Sequence, residues 1–459
     1  MPRQSGAGGA GLPLFTEDRR RAALNNEVHA RPFASVTAPL AASHLAVLWG
    51  EGGGEADFKH LSQLCQSANV PPPLPEAGHF AADFGAFSLR WERHSEFSSY
   101  TFLRPGVGGA PRSGAARDYL RGPGGSSPGA PFAEAGTAIA KVPTDWLAGL
   151  PGSVLVAAHF ALLPEEAGSG DAALPAGALV AETTAGSRIA GGAAWAWTDF
   201  RLHQDGFGRI LARDVRLTPR QAGRMMQRLF EIETYRMMAL LALPVARLHA
   251  PAITRIGDDL ARLTQSFATV SGLDGERQML DRLVALSAEA ERIAAATQYR
   301  FGAGRAYYAL VRRRIEELRE ERIEGIQTIA EFMDRRLAPA MRTCESVGER
   351  LEAIATRLGR VSALLRARVE VALEAQNRDL LASMDRRARL QLRLQQTVEG
   401  LSVAAITYYV VGLIAYAAKA AHGVGLKLDP DIATGLAVIP AALAVWWGVR
   451  RIRRGLRKD

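Results

Sequence analysis

The stretch "IATGLAVIPAALAVWWGVRRIRRGLRKD" (432–459) decides how the second half of this chain must be read. Its first eighteen residues carry no charge, while its last ten hold six basic residues and one Asp. An arm that grips phosphates would account for the basic run alone. A membrane helix accounts for both parts, because eighteen residues make a helix of about 27 Å against a hydrocarbon core of roughly 30 Å. Residues 401–418 form a second uncharged run of eighteen.

The connector "KAAHGVGLKLDPD" (419–431) has two Lys and two Asp and is neutral. Basic residues lie outside the pair of runs: Arg386, Arg387, Arg389 and Arg393 before it, then Arg450, Arg451, Arg453, Arg454, Arg457 and Lys458 after it. The excess of Lys and Arg on cytoplasmic flanks predicts both termini inside the cell and the short connector outside. Trp446 and Trp447 suit the inner interfacial belt. With Arg450, Arg451, Arg453 and Arg454 they form the expected membrane anchor, the lipid bilayer being the first expected partner. In the first run Ser402, Ala405, Tyr409, Gly412, Tyr416 and Lys419 recur at 3-4-3-4-3 spacing. Small and polar residues on one face of a membrane helix mean close helix packing or a polar cavity.

The net charge of +9 resides mostly in the tail, so no basic face remains elsewhere and no nucleic-acid partner is expected. Cys65 and Cys344 are far apart and form no metal-ligand spacing, as is usual in a reducing compartment. Residues 1–14 contain no apolar signal core and read as a flexible leader.

Proline draws the main internal boundary. Of 23 prolines, 17 precede residue 176; none lies between 252 and 338 or between 340 and 429. Proline breaks helices, so long proline-free stretches permit long helices. The expected fold is an α+β cytoplasmic domain over 15–217, then long helices over 218–399. A two-helix transmembrane hairpin follows over 400–449 (spans 401–418 and 432–449), with a basic cytoplasmic tail at 450–459. Residues 104–131 hold eight Gly and five Pro and read as a loop.

Within the first part, Phe87, Leu89 and Trp91 alternate with Arg90, Glu92, His94 and Glu96, which predicts one strand with an apolar and a polar face. "SVLVAAHFALL" (153–163) predicts a buried strand, and "WAWTDFRLHQDGFGRILARDV" (195–215) a hairpin turning at Asp205-Gly206. Thr218-Pro219 predicts a helix start. Further helices are expected near 252–269, 274–300, 304–337 and from 340 on. Val347, Leu351, Ile354, Leu358, Val361 and Leu365 repeat at 4-3-4-3-4, a coiled-coil-like stripe that must bury against other helices of the chain or against a second copy. Met279, Leu283, Leu286, Ala290 and Ile293 form a similar stripe, as do Ile323, Ile326, Ala330, Met333 and Leu337.

The stretches "LNNEVHARPF" (24–33), "RWERHSEFSSYTF" (90–102), "WTDFRLHQDGFGRIL" (197–211), "EIETYRMMALLALP" (231–244) and "ASMDRRARLQLRLQQTVEGLSVAAITYYVVGL" (382–413) together resemble one bacterial family. It is the uncharacterised family of predicted membrane-anchored proteins known as domain of unknown function 3422. The resemblance covers nearly the whole chain and implies a C-terminal membrane anchor without implying an activity. A second likeness is architectural. A cytoplasmic α+β domain, long helices, two spans and a basic tail resemble the CorA magnesium channels. Their Gly-Met-Asn signature is absent: "YAAKAAHGVG" (416–425) stands at that place, and Lys419 sets a positive charge where a cation would enter.

No zincin, P-loop or dinucleotide motif occurs, and no cofactor is identified. Gly125-Ser126-Ser127-Pro128-Gly129 matches a nucleophile elbow in letters only, since it lies in a Gly/Pro loop instead of a strand-to-helix turn. The candidate ligand or metal cluster is Glu27 and His29 in one extended segment with Glu92, His94 and Glu96 in another. Glu and His two residues apart share a strand face and can ligate a divalent ion or exchange a proton; a salt-bridge network on a half-buried sheet uses the same pattern. The expectation is a membrane-anchored, non-enzymatic scaffold that forms homo-oligomers through its helical stalk. A CorA-like channel or transporter is the alternative.

Overall fold

The computed structural model describes residues 18, 20–21, 33–50, 52–106, 131–164, 177–267, 269–270, 272–423 and 429–455. The leader, most of the 104–131 loop, and the Glu27 and His29 positions lie outside the described residues. The chain divides into two compact units, one of residues 1–261 and 286–358, the other of 262–285 and 359–459.

The first unit carries a mixed sheet of nine strands in the order β2-β3-β4-β1-β5-β8-β7-β6-β9. They are β1 (Leu40–Leu48), β2 (His79–Asp83), β3 (Ser88–Arg93), β4 (Phe97–Pro105), β5 (Ser153–Pro164), β6 (Ala185–Ile189), β7 (Ala194–Thr198), β8 (Gly208–Asp214) and β9 (Glu321–Arg322). Among these strands β5 and β8 pair in parallel and the other neighbours antiparallel. The expected buried strand is β5, and the expected hairpin is β7–β8.

The segment 87–96 is not a single strand, because β3 ends at Arg93 and β4 begins at Phe97. His94 and Glu96 therefore belong to the turn, and only Arg90 and Glu92 share the polar face of the strand. The chain reverses there because Phe97 and Tyr100 must enter the core on the return strand; they are 1% and 0% exposed. The central strand β1 went unpredicted. Its "LAASHLAVL" lacks polar alternation because it is buried over nearly its whole length, and Ala-rich runs suit helices equally well.

Helices α1 (Gly53–Ser67) and α2 (Thr144–Ala148) lie among the strands, and α3 (Pro219–Leu240) follows β8. The expected start of α3 is present as a capping box between Thr218 and Gln221 with Pro219 in the first turn. One face of the sheet packs Leu45, Leu89, Trp91, Tyr100 and Phe102 with Leu61, Leu64 and Cys65 of α1. A carboxylate is sunk in this apolar layer: Asp57 of α1 accepts from Trp91 Nε1 at 2.9 Å and from Tyr100 Oη at 2.5 Å.

The remaining helices are α4 (Ala242–Ser266), α5 (Leu273–Leu318), α6 (Ile329–Arg336), α7 (Ala338–Gly423) and α8 (Pro430–Gly455). Pro244 falls in the first turn of α4, where a missing N–H costs nothing, and Pro251 lies inside the helix. The predicted 304–337 helix is two helices, with β9 between them. Glu320 accepts from the backbone N–H groups of Ile329 and Ala330 at 2.9 Å each, and Thr328 with Glu331 closes a capping box. These contacts restart the helix at α6, so Ile323 and Ile326 sit in the connection and pack on the sheet core instead of forming a helical stripe.

The heptad of α7 is buried within the chain: Val347, Leu351, Ile354, Leu358 and Leu365 are at most 7% exposed. Gly348 of α7 leaves room for Phe301 of α5, whose Cδ2 would lie 3.5 Å from a β-carbon there. Among the described residues three helical runs are long and apolar enough to cross a membrane: Pro219–Ser266, Ile329–Gly423 and Pro430–Arg451. The first is a core helix pair, with Met225, Leu229, Phe230, Met238, Ile253 and Leu260 buried. The other two contain the predicted runs 401–418 and 432–449.

Candidate functional site

Strand register assembles a polar strip on the sheet face beneath α3. His44 of β1 stands opposite Thr101 of β4, and Thr101 opposite Arg90 of β3. One step along, Ser99 stands opposite Glu92. Side chains alternate along a strand, so the residues between these, Leu89, Trp91 and Tyr100, point into the apolar layer. From α3, Glu231, Thr234 and Tyr235 close over the strip. The cleft so formed also includes His94 and has a volume of about 40 Å³, room for about three waters.

His44 is the central group of the cleft. It is 6% exposed, stacks on Phe230 at 4.7 Å, and has both ring nitrogens occupied. Nδ1 meets Thr101 Oγ1 at 2.8 Å and Nε2 meets Thr234 Oγ1 at 3.0 Å. A neutral imidazole has one donor and one acceptor, and two hydroxyls satisfy either tautomer. Burial, reinforced by the nearby His94, lowers its pKa to about 3. His44 is thus neutral near pH 7. Burial also pulls the Arg90 guanidinium below its usual value, while Glu92 works in the opposite sense.

The structure brings together two of the described cluster residues and separates the third. His94 Nε2 and Glu92 Oε2 are 3.9 Å apart at the rim of the cleft, and the His94 ring stacks on Phe97 at 4.1 Å. Glu96 instead pairs with Arg300 of α5, Nη2 to Oε2 at 2.6 Å, and so acts as a tie between hairpin and helix. Among the described residues no three His, Cys, Asp or Glu side chains converge at metal-ligand spacing. The cleft can hold water or a very small polar ligand beside two carboxylates, a guanidinium and two imidazoles. It was missed in the sequence because its centre, His44, lies on the unpredicted β1, and because Thr234 and Tyr235 come from a helix remote in sequence.

A second polar chain occupies the opposite side of β1. Ser43 Oγ bonds His159 Nδ1 at 2.9 Å and accepts from the Ile139 N–H at 3.1 Å; His159 Nε2 lies 3.9 Å from Asp205. The residue types are those of an acyl-transfer triad, but Ser43 is 0% exposed. A nucleophile must reach its substrate, so this chain is a buried bonding network.

The C-terminal positions are arranged as follows. Ser402 returns its hydroxyl to the Val398 carbonyl at 2.8 Å. Tyr409 and Tyr416 are exposed, and so is Lys419. Arg450 lies 4.7 Å over the Trp446 ring and Arg451 5.2 Å over Trp447. The side chains of Arg453 and Arg454 fall outside the description.

A family model described as "Protein of unknown function (DUF3422)" matches residues 16–456. The chain belongs to that family. The match spans the sheet, the cleft and the long helices, as the resemblance seen in the five stretches implied. Neither a curated protein nor a solved structure matches the chain.

Proposed function

We propose that the chain is a membrane-anchored protein of the bacterial inner membrane whose cytoplasmic α+β unit serves as an interaction scaffold. One observation carries this reading. None of the most apolar eighteen-residue window of α7 is buried, although it belongs to a helix long enough to span a bilayer. Leu401, Tyr408, Leu413 and Leu436 are 68–77% exposed, and leaving a Leu side chain in water forgoes about 1.5–3 kcal/mol. Lipid around α7 and α8 would remove that cost, and the Trp446 and Trp447 pair under its arginines suits the interfacial belt.

In this reading the two apolar runs cross the membrane and both termini are cytoplasmic. Substituted cysteines at Ala421 and Lys458 test it in intact cells, the native Cys65 and Cys344 being buried. The Ala421 position should react with a membrane-impermeant maleimide and the Lys458 position only after permeabilisation. The reverse pattern, or recovery of the chain in the soluble fraction, sinks the reading. The scaffold is proposed to self-associate along α7, where Leu380, Met384, Leu394 and Val398 are 58–67% exposed. Its mass in detergent tests this. Ion flux in proteoliposomes would replace the scaffold with a channel.

A further inference from the structure

A second cleft lies away from His44, where the end of β6, the first turns of α3 and the last turn of α5 meet. Its volume is about 600 Å³, within the usual range of small-molecule sites. Four arginines line it, Arg224 and Arg228 from α3, Arg313 from α5 and Arg319 just past its end, against the two carboxylates of Glu316 and Glu317.

The carboxylate of Glu317 is already committed. It pairs with Arg228 at 3.0 Å, Arg313 at 3.3 Å and Arg314 at 3.0 Å. Among the described residues Arg224 and Arg319 have no carboxylate partner; Arg224 only rests over the Phe33 ring at 5.6 Å. The cleft therefore keeps a positive surplus that its own acids do not cancel. Arg319 also stands at φ 51° just beyond α5, a left-handed position where glycine is the unstrained choice. A bulky cationic side chain there costs stability, and such a cost concentrates at functional positions. The floor is apolar, formed by Ile189, Met225 and Leu318, all at most 3% exposed.

We infer that this cleft binds a small phosphate-bearing molecule, its phosphates held by Arg224 and Arg319 and its less polar part resting on the Ile189–Met225 floor. The planar guanidinium presents paired N–H groups that match phosphate oxygens, and this favours phosphate over a monocarboxylate. The inference does not depend on membrane anchoring.

Calorimetric titration of the full-length chain in a neutral detergent tests it, with pyrophosphate, ADP and acetate as probes and phosphatidylglycerol vesicles as a separate arm. Saturable binding of pyrophosphate or ADP, absent with acetate, is expected. Tighter binding of ADP than of pyrophosphate would show the floor in use, and binding only to the vesicles would identify the phosphate as a lipid headgroup. Arg224→Gln should weaken binding about tenfold, the loss of one charge-assisted contact. Arg319→Gly should weaken it similarly while raising the thermal midpoint, because glycine relieves the left-handed backbone. Arg357→Gln, on an exposed site of α7, should leave affinity unchanged. Absence of saturable binding by any phosphate probe, or unaltered affinity in both cleft variants, overturns the inference.

Discussion

Gly223 of α3 lies so close to the main chain of Ala34 that a β-carbon on it would stand 1.7 Å from the Ala34 carbonyl oxygen. The approach is locked by the Val36 N–H, which donates to the Pro219 carbonyl at 3.1 Å. Both Ala34 and Gly223 line the His44 cleft. Gly223→Ala must push α3 and the incoming chain apart, and overpacking of this kind costs about 1–3 kcal/mol or more. Gly359→Ala, where nothing lies within 4 Å, should instead stabilise α7 by roughly 0.5–1 kcal/mol. Urea unfolding of the two variants measures the contrast; equal effects would mean that the contact is not tight.

Asp57 accepts from two side chains that are both 0% exposed, Trp91 and Tyr100. Asp57→Ala strands both donors in an apolar layer, at about 1–3 kcal/mol for each. Removal of a buried carboxylate returns part of that cost. The expected net loss is about 2–4 kcal/mol in denaturant unfolding, and a neutral result would show that the donors find other partners.

The α7 heptad is satisfied inside one chain, so a charge in it should act on folding and not on assembly. Leu358 is 1% exposed, and an unpaired carboxylate there costs several kcal/mol, about 3–5. Leu358→Asp should lower the thermal midpoint equally at dilute and concentrated protein, while Arg360→Asp on the exposed face changes little. A midpoint that rises with concentration in the parent and not in the variant would return the stripe to a subunit interface.

Two buried histidines make stability depend on pH. His44 is held to about 3 by burial, with His94 adding to the effect, and His159 to about 4 by burial, against the opposing pull of Asp205. In the unfolded chain both titrate near 6.5. The unfolded state thus binds more protons below that pH, and the folded state loses stability as pH falls from about 6.5 toward the folded values. Each contributes about 2 kcal/mol of loss between pH 6.5 and 5. Unfolding free energies measured across that window should slope downward toward acid, and less steeply in His44→Gln; a flat profile contradicts the assignment.

What the sequence by itself determined is periodic or local. Two eighteen-residue uncharged runs and their arginine flanks are composition, visible without any partner. The proline distribution predicted long helices because proline disfavours a helix interior, although α4 and α8 accommodate Pro251 and Pro440, and Thr218-Pro219 predicted the start of α3 because a cap is made by residues three apart. The restart at Thr328 was equally legible as a Thr-x-x-Glu box and was overridden by an apolar stripe of which Ile323 and Ile326 turned out to contact the sheet. Only the tertiary structure decided the rest. A fully buried strand such as β1 has no solvent face to alternate with, so its pattern does not distinguish strand from helix. The His44 cleft joins residues 44, 90, 101 and 234 through strand register and helix docking, and the arginine cleft joins 224 to 319. Side chains that far apart in sequence meet only because burial of the apolar layers brings their elements together, and no local pattern encodes that distance.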